Sequence, residues 1–207
     1  RQEGLYEDTV IVLSSDHGDM MGSHGLMGKH VWYEESIHIP FIVRVAGNHK
    51  RVCRTCIGSQ DMMPTLLGLL GAGIPDTVEG EDCSRYILTE QEDLNRVSYL
   101  CACPGGEAVV RQFKSAGKDP LIYGWRGVRT QTHTYVMELG YKLQPVPVRY
   151  LYCTADDPQQ QHPLDLAEPE NRVLSKKLEE SVMDWMRQQN DGFAGHWAAE
   201  AAKLGEL

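Results

Sequence analysis

Thr9-Val10-Ile11-Val12-Leu13, followed at once by Ser14-Ser15-Asp16-His17-Gly18-Asp19, is the stretch that decides the fold. A short, β-branched and almost wholly apolar run suits a strand covered on both faces, and such strands belong to α/β sheets. Polar groups appear where that strand would leave the sheet, the edge at which open α/β folds bind ligands. A glycine-punctuated loop then runs through Gly22, Gly25 and Gly28. After it, Pro40-Phe41-Ile42-Val43-Arg44-Val45 reads as a second strand, ended by Gly47-Asn48.

Further along, Asp61 to Leu70 has a capping residue, an early proline and leucines on more than one face, and is stopped by Gly71 and Gly73. This predicts a short buried helix. From about residue 95 the pattern changes to separated strand-like pieces, Val97–Cys101, Gly127–Thr130, Thr134–Leu139 and Arg149–Cys153, which predict an antiparallel sheet. Leu174, Leu178, Val182 and Trp185 recur at spacings of four, four and three, an amphipathic helix able to cover that sheet. The Ala-rich tail after Trp197 reads as another short helix.

The chain has 207 residues, 20 Lys+Arg against 29 Asp+Glu for a net charge of −9, and 42% hydrophobic content. That excludes a disordered tail and leaves enough apolar material for a core. No apolar run approaches the roughly 18 residues that span a bilayer, so no membrane is expected. An acidic balance without a basic block argues against nucleic acid as a partner. The opening Arg1-Gln2-Glu3-Gly4 carries neither Met nor a signal segment, which points to a piece of a longer polypeptide whose N-terminal part is missing. Six cysteines in a chain of this length read as reduced thiols, favouring a cytoplasmic setting. Cys53-x-x-Cys56 could start a zinc site but lacks a second pair at matching spacing, Cys101-x-Cys103 being a poor substitute, so no structural zinc is expected.

Asp16, His17, Asp19, His24, Lys29, His30 and Glu34 form the densest cluster of reactive side chains. Asp16 offers hard oxygen and His17 a neutral nitrogen to a divalent cation, although such a cation wants about six ligands. Lys29, after the glycine-rich loop, is a flexible point charge suited to an oxyanion or a leaving-group oxygen. Each residue also has an ordinary reading: Ser15 or Asp16 as a turn cap, the histidines as polar loop residues, Lys29 as a solvated charge.

The stretch Ser15-Asp16-His17-Gly18-Asp19-Met20-Met21-Gly22-Ser23-His24-Gly25-Leu26, then Gly28-Lys29-His30-Val31-Trp32-Tyr33-Glu34-Glu35-Ser36, resembles the sulfatase family of the alkaline phosphatase superfamily. The likeness continues through Ile37–Arg44, Asp61–Leu67, Val78-Glu79-Gly80 and Arg126–Thr130, and runs from about residue 9 to 190. The resemblance implies hydrolysis of sulfate esters, carbohydrate sulfates being a plausible class, with a divalent cation, usually Ca²⁺ (Mn²⁺ or Mg²⁺ being alternatives), and a formylglycine nucleophile. By position Asp16 and His17 would be metal ligands, Lys29 would steady the leaving oxygen, and His30, with His24 a weaker candidate, would contact substrate. The implied fold is the end of an alkaline-phosphatase-like α/β sheet domain over residues 1–90, and over 91–207 a small C-terminal antiparallel sheet with a packed helix.

None of the cysteines stands in the family's Cys-x-Pro-Ser-Arg-like motif: Cys103-Pro104 lacks the intervening residue and Cys83-Ser84-Arg85 the proline. The formylglycine is therefore expected upstream, and the isolated chain is expected to be inactive. In the tail, Gln160 and Pro163 depart from the family's usual turn residues. The alternatives are a phosphodiesterase or phosphonate monoester hydrolase of the same superfamily, or a non-catalytic module derived from it.

Overall fold

The computed structural model describes residues 2–204. The decisive stretch forms β1 (Ile11–Ser14), which pairs antiparallel with β2 (Phe41–Arg44) so that Leu13 faces Ile42 and Val12 faces Val43. The expectation of a strand covered on both faces is corrected here. Ile11, Leu13 and Ile42 stand 45%, 60% and 61% exposed, because nothing among the described residues lies over them. The other side of the ribbon looks across a shallow groove, lined by Val10 and Val12, towards Leu66 and Leu70. Between the two strands the chain makes the long loop and a single turn of helix, α1 (Glu34–Ile37).

Helix α2 (Ser59–Leu69) starts two residues earlier than its sequence suggests. Asp61 is not the N-cap; it occupies the third helical position and reaches back to accept the Gly58 N–H at 2.9 Å, satisfying one of the orphan donors of the helix start. The same buried carboxylate accepts the Glu81 N–H at 2.9 Å and pairs with Arg96 at 2.6 Å, tying the helix to two later segments. The helix is half-buried rather than buried, with Met63 exposed on its outer side. Two helices had no clear periodic signal: α3 (Ser84–Leu88) and α4 (Glu107–Ser115), the latter held by buried Phe113 against Tyr123.

All four expected later strands are present: β3 (Ser98–Ala102), β4 (Gly124–Arg129), β5 (His133–Gly140) and β6 (Val148–Cys153). They form one antiparallel sheet in the order β3-β4-β5-β6. Strand β4 begins at Gly124 rather than Gly127, through Trp125 and Arg126. Successive side chains of a strand point to opposite faces, and here each face meets a different partner. Val128, Tyr135, Met137, Leu139 and Leu151 pack against Leu178, Val182 and Met186 of α5 (Pro169–Gln188) and Phe193 and Trp197 of α6 (Phe193–Ala201). Trp125, Val136 and Tyr152 on the opposite face pack against Trp32 of the long loop. The amphipathic stripe therefore covers the sheet as its spacing predicts, and the tail helix starts four residues before Trp197.

Two polar clusters pin the helices. Arg126 is buried, pairs with Asp191 at 2.6 Å and lies over the Phe193 ring at 4.6 Å, fixing the start of α6 to β4. Glu179 of α5 accepts hydrogen bonds from Tyr135 Oη (2.5 Å), Arg149 Nε (2.7 Å) and Trp197 Nε1 (3.1 Å), one carboxylate joining two strands and both long helices. No helix among the described residues is long and apolar enough to cross a membrane.

Candidate active site

Ser14 ends β1 with its hydroxyl donated to Pro40 O at 2.8 Å, so the following loop is anchored at the mouth of the ribbon. Ser15 Oγ donates to His17 O at 2.7 Å and Asp16 Oδ1 accepts the His17 N–H at 3.0 Å, the local turn bonds such residues favour. That leaves Asp16 Oδ2 free to face His17 Nε2 at 3.4 Å, with the carboxylate 83% exposed. His17 Nδ1 lies 2.6 Å from Gly18 O; a carbonyl only accepts, so Nδ1 carries the proton and Nε2 of the neutral ring presents its lone pair. Lys29 Nζ donates to that nitrogen at 2.5 Å.

The loop that delivers Lys29 is closed by Asp19. Its Oδ1 accepts the N–H groups of Met21 (3.0 Å) and Gly28 (3.3 Å), Met20 N donates to Gly28 O at 2.7 Å, and the Met20 side chain is buried beneath. Gly18 is required by its neighbours: its N–H donates to Ser36 O at 2.9 Å, and a Cβ there would stand 1.9 Å from Glu35 O.

The structure thus brings Asp16, His17 and Lys29 together and sends His24 elsewhere. The His24 ring stacks on Tyr33 at 3.7 Å, and its Nε2 hydrogen-bonds Gln159 O at 2.8 Å, bracing the loop against the segment after β6. His30 lines an open cleft of ≈ 210 Å³ with His17 and Lys29, walled on the far side by Leu100, Cys101 and Trp125. Gln160, visible in the sequence only as a departure from a turn pattern, is buried and accepts the Glu34 N–H through Oε1 at 2.7 Å. Gln160 and the aromatic side chains of the later sheet are supports that the sequence does not announce, because each acts on backbone atoms far away along the chain, whereas Asp19, part of the dense cluster, closes its own loop.

Glu34 ties the loop to the sheet through Arg129 Nε at 2.8 Å and binds His38 Nδ1 at 3.0 Å. Burial raises the Glu34 carboxyl, yet the His38 and Arg129 contacts outweigh it and leave it lowered; the hydrogen bond that His38 donates to Glu34 in turn raises His38, against its own desolvation. The lowered Glu34 contributes fully above an unfolded carboxylate value of about 4.3 and loses its contribution as pH falls through the folded value. The raised His38 contributes fully below about 6.5 and loses its contribution as pH rises through the folded value. Denaturant unfolding across this range is expected to show a stability decrease on the alkaline side that His38→Gln removes; an unchanged profile would disprove the coupling.

Asp16 Oδ2 and His17 Nε2 face each other at 3.4 Å, a hard oxygen and an imidazole nitrogen that fit a shared cation once Lys29 Nζ gives up the single Nε2 lone pair it binds here. Among the described residues no three His, Cys, Asp or Glu side chains converge in this way.

A mixed α/β frame with this strand-end loop matches the alkaline-phosphatase-like fold. It superposes with a TM-score of 0.78 and 28% identity on a solved structure concerned with the metabolism of multiple glycosaminoglycans by Bacteroides thetaiotaomicron, covering 94% of this chain and 40% of that one. The protein-family model described as Sulfatase matches residues 1–72. The chain is 33% identical over 196 residues to the Ulvan-active sulfatase of Formosa agariphila, covering 92% of this chain and 35% of that protein. It is 29% identical over 200 residues to the Endo-4-O-sulfatase of Bacteroides thetaiotaomicron, covering 92% and 38%. The chain belongs to the sulfatase family, of which it corresponds to the C-terminal portion. It spans less than half the length of the relatives it matches.

Proposed function

We propose that this chain supplies the cation-and-lysine side of a site that hydrolyses sulfate esters of carbohydrates. The observation that carries the reading is the meeting of Asp16 Oδ2, His17 Nε2 and Lys29 Nζ at one point of the loop after β1. An ammonium has three donors; here Lys29 gives one to the single lone pair of His17 Nε2, and when a cation takes that lone pair all three are left for ester oxygens. Positive charge fixed there is worth most where negative charge grows, on the oxygen that departs as the S–O bond breaks. Before a cation binds, His17 holds Lys29 beside the site through Nε2, the backbone of Gly18 fixes the His17 tautomer, and His30 forms the adjoining edge of the cleft for the rest of the substrate. In this reading His24 serves the loop and does not touch substrate.

Asp16 and His17 would hold a divalent cation, Ca²⁺ being the expected ion, with further ligands from outside this pair. Such an ion, when bound, supplies charge neutralisation for the non-bridging sulfate oxygens. The nucleophile is expected as a formylglycine outside these 207 residues, so the isolated chain is inactive on its own. Residues 1–90 close the large α/β domain and 91–207 form the C-terminal subdomain. The names of the relatives, one active on ulvan and one an endo-4-O-sulfatase, support a polymeric or oligomeric sulfated sugar as substrate.

The test is to assay the full-length enzyme and the isolated chain side by side on sulfated oligosaccharides, an aryl sulfate, and the matching phosphate and phosphonate esters. Turnover of the sulfate esters by the full-length enzyme alone is expected. Preference for a phosphonate or phosphate ester would overturn the sulfate assignment. Turnover by the isolated chain would overturn the expectation that its nucleophile lies elsewhere.

A further inference from the structure

The carbonyl next to Lys29 is held by two aromatic side chains that the chemistry itself does not use. His30 has φ 77°, a left-handed backbone unfavourable for a residue with a Cβ, so its surroundings must enforce it. Trp125 Nε1 donates to His30 O at 2.8 Å and Tyr141 Oη donates to the same oxygen at 2.7 Å, which uses both lone pairs of one carbonyl. Trp125 is buried in the sheet and also meets Trp32 edge-on at 5.8 Å, so it grips the chain on both sides of Val31. Both donors come from the later sheet, Trp125 from β4 and Tyr141 from just past β5, on the face opposite α5 and α6.

We infer that Trp125 and Tyr141 are positioning residues for Lys29: by clamping the His30 carbonyl they hold the left-handed turn that aims the lysine at His17 and the cleft. This inference rests on the sulfate-ester reading for its kinetic consequence, while its structural half stands without it. Neither residue touches the reacting atoms. With one donor removed, the other still holds the carbonyl; with both removed, nothing enforces the His30 conformation and the Gly28–His30 limb opens more often.

The experiment compares Tyr141→Phe, Trp125→Phe and the double variant with Tyr150→Phe, which removes a hydroxyl from the same aromatic face without touching His30. On the 207-residue chain, hydrogen exchange of the Met20 amide, bonded to Gly28 O, reports opening of the limb. Tyr141→Phe is expected to speed that exchange about fivefold, the loss of one ordinary hydrogen bond, with more in the double variant and none in Tyr150→Phe. On the full-length enzyme Tyr141→Phe is expected to lower kcat by a similar factor while KM and the unfolding midpoint hold. Unchanged Met20 exchange in both single variants and the double variant overturns the inference. So does faster exchange that merely follows a global loss of stability, or a Tyr150→Phe effect equal to that of Tyr141→Phe. If the enzyme turns over no sulfate ester, the function reading fails and the exchange measurement still decides the clamp.

Discussion

Lys29→Ala in the full-length enzyme is expected to lower kcat by about 10²–10³-fold, the usual loss when one preorganised donor to a developing oxyanion is removed. The loss should depend on the leaving group. An aryl sulfate expels a stabilised oxyanion and needs little help, whereas a sugar hydroxyl leaves as a strongly basic oxygen and depends on the ammonium. Lys29→Ala should therefore damage sugar-sulfate turnover far more than aryl-sulfate turnover, in steady-state kinetics on the two substrates. Equal losses would mean that Lys29 serves binding rather than departure of the oxygen. The side chain is exposed and its one described hydrogen bond is to His17, so thermal unfolding of the variant should match the parent within about 0.5 kcal/mol.

Glu179→Ala is the expected severe lesion of the fold. Its carboxylate gathers a tyrosine hydroxyl, a guanidinium and an indole N–H from β5, β6 and α6, and truncation strands all three, two of them on fully buried side chains. Leaving a half-buried guanidinium and two buried donors unpaired costs about 3–5 kcal/mol. Burial pushes Glu179 up, but the Arg149 and Tyr135 contacts outweigh it and hold the carboxyl below its ordinary value. Its stabilisation is therefore complete above the unfolded carboxylate value and is lost as pH falls through the lowered folded one. Urea titrations at neutral and acidic pH should show a large gap between parent and Glu179→Ala that narrows on acidification. A small gap at neutral pH would mean that water replaces the carboxylate.

Periodicity made the later sheet and its covering helix legible, because Tyr135, Met137 and Leu139 alternate with residues that pack on the opposite face, and Leu174, Leu178, Val182 and Trp185 recur along one helical stripe that packs on the sheet. It failed for β1 on the question of cover. An apolar run reports that a strand is built to be buried, and it cannot report that the covering layer is absent from the residues described. Asp61 misled for a related reason: a carboxylate near a helix start reads as an N-cap, whereas here it reaches back from the third position and also holds Arg96. In the site, Asp16, His17 and Lys29 were legible because their chemistry lies close together in the chain. Trp125 and Tyr141 were not, since each meets His30 across about a hundred residues and nothing in a local pattern encodes that meeting.

The β1–β2 ribbon sets a condition on every solution experiment with the isolated chain. Each of its strands pairs with only one neighbour among the described residues, and Leu13 and Ile42 stand side by side as an exposed apolar pair. A free strand edge beside apolar side chains is a template for a second copy. Self-association through it would stabilise the folded form by mass action. Unfolding midpoints of the 207-residue chain would then rise with protein concentration, so stabilities of its variants are comparable only at matched dilution.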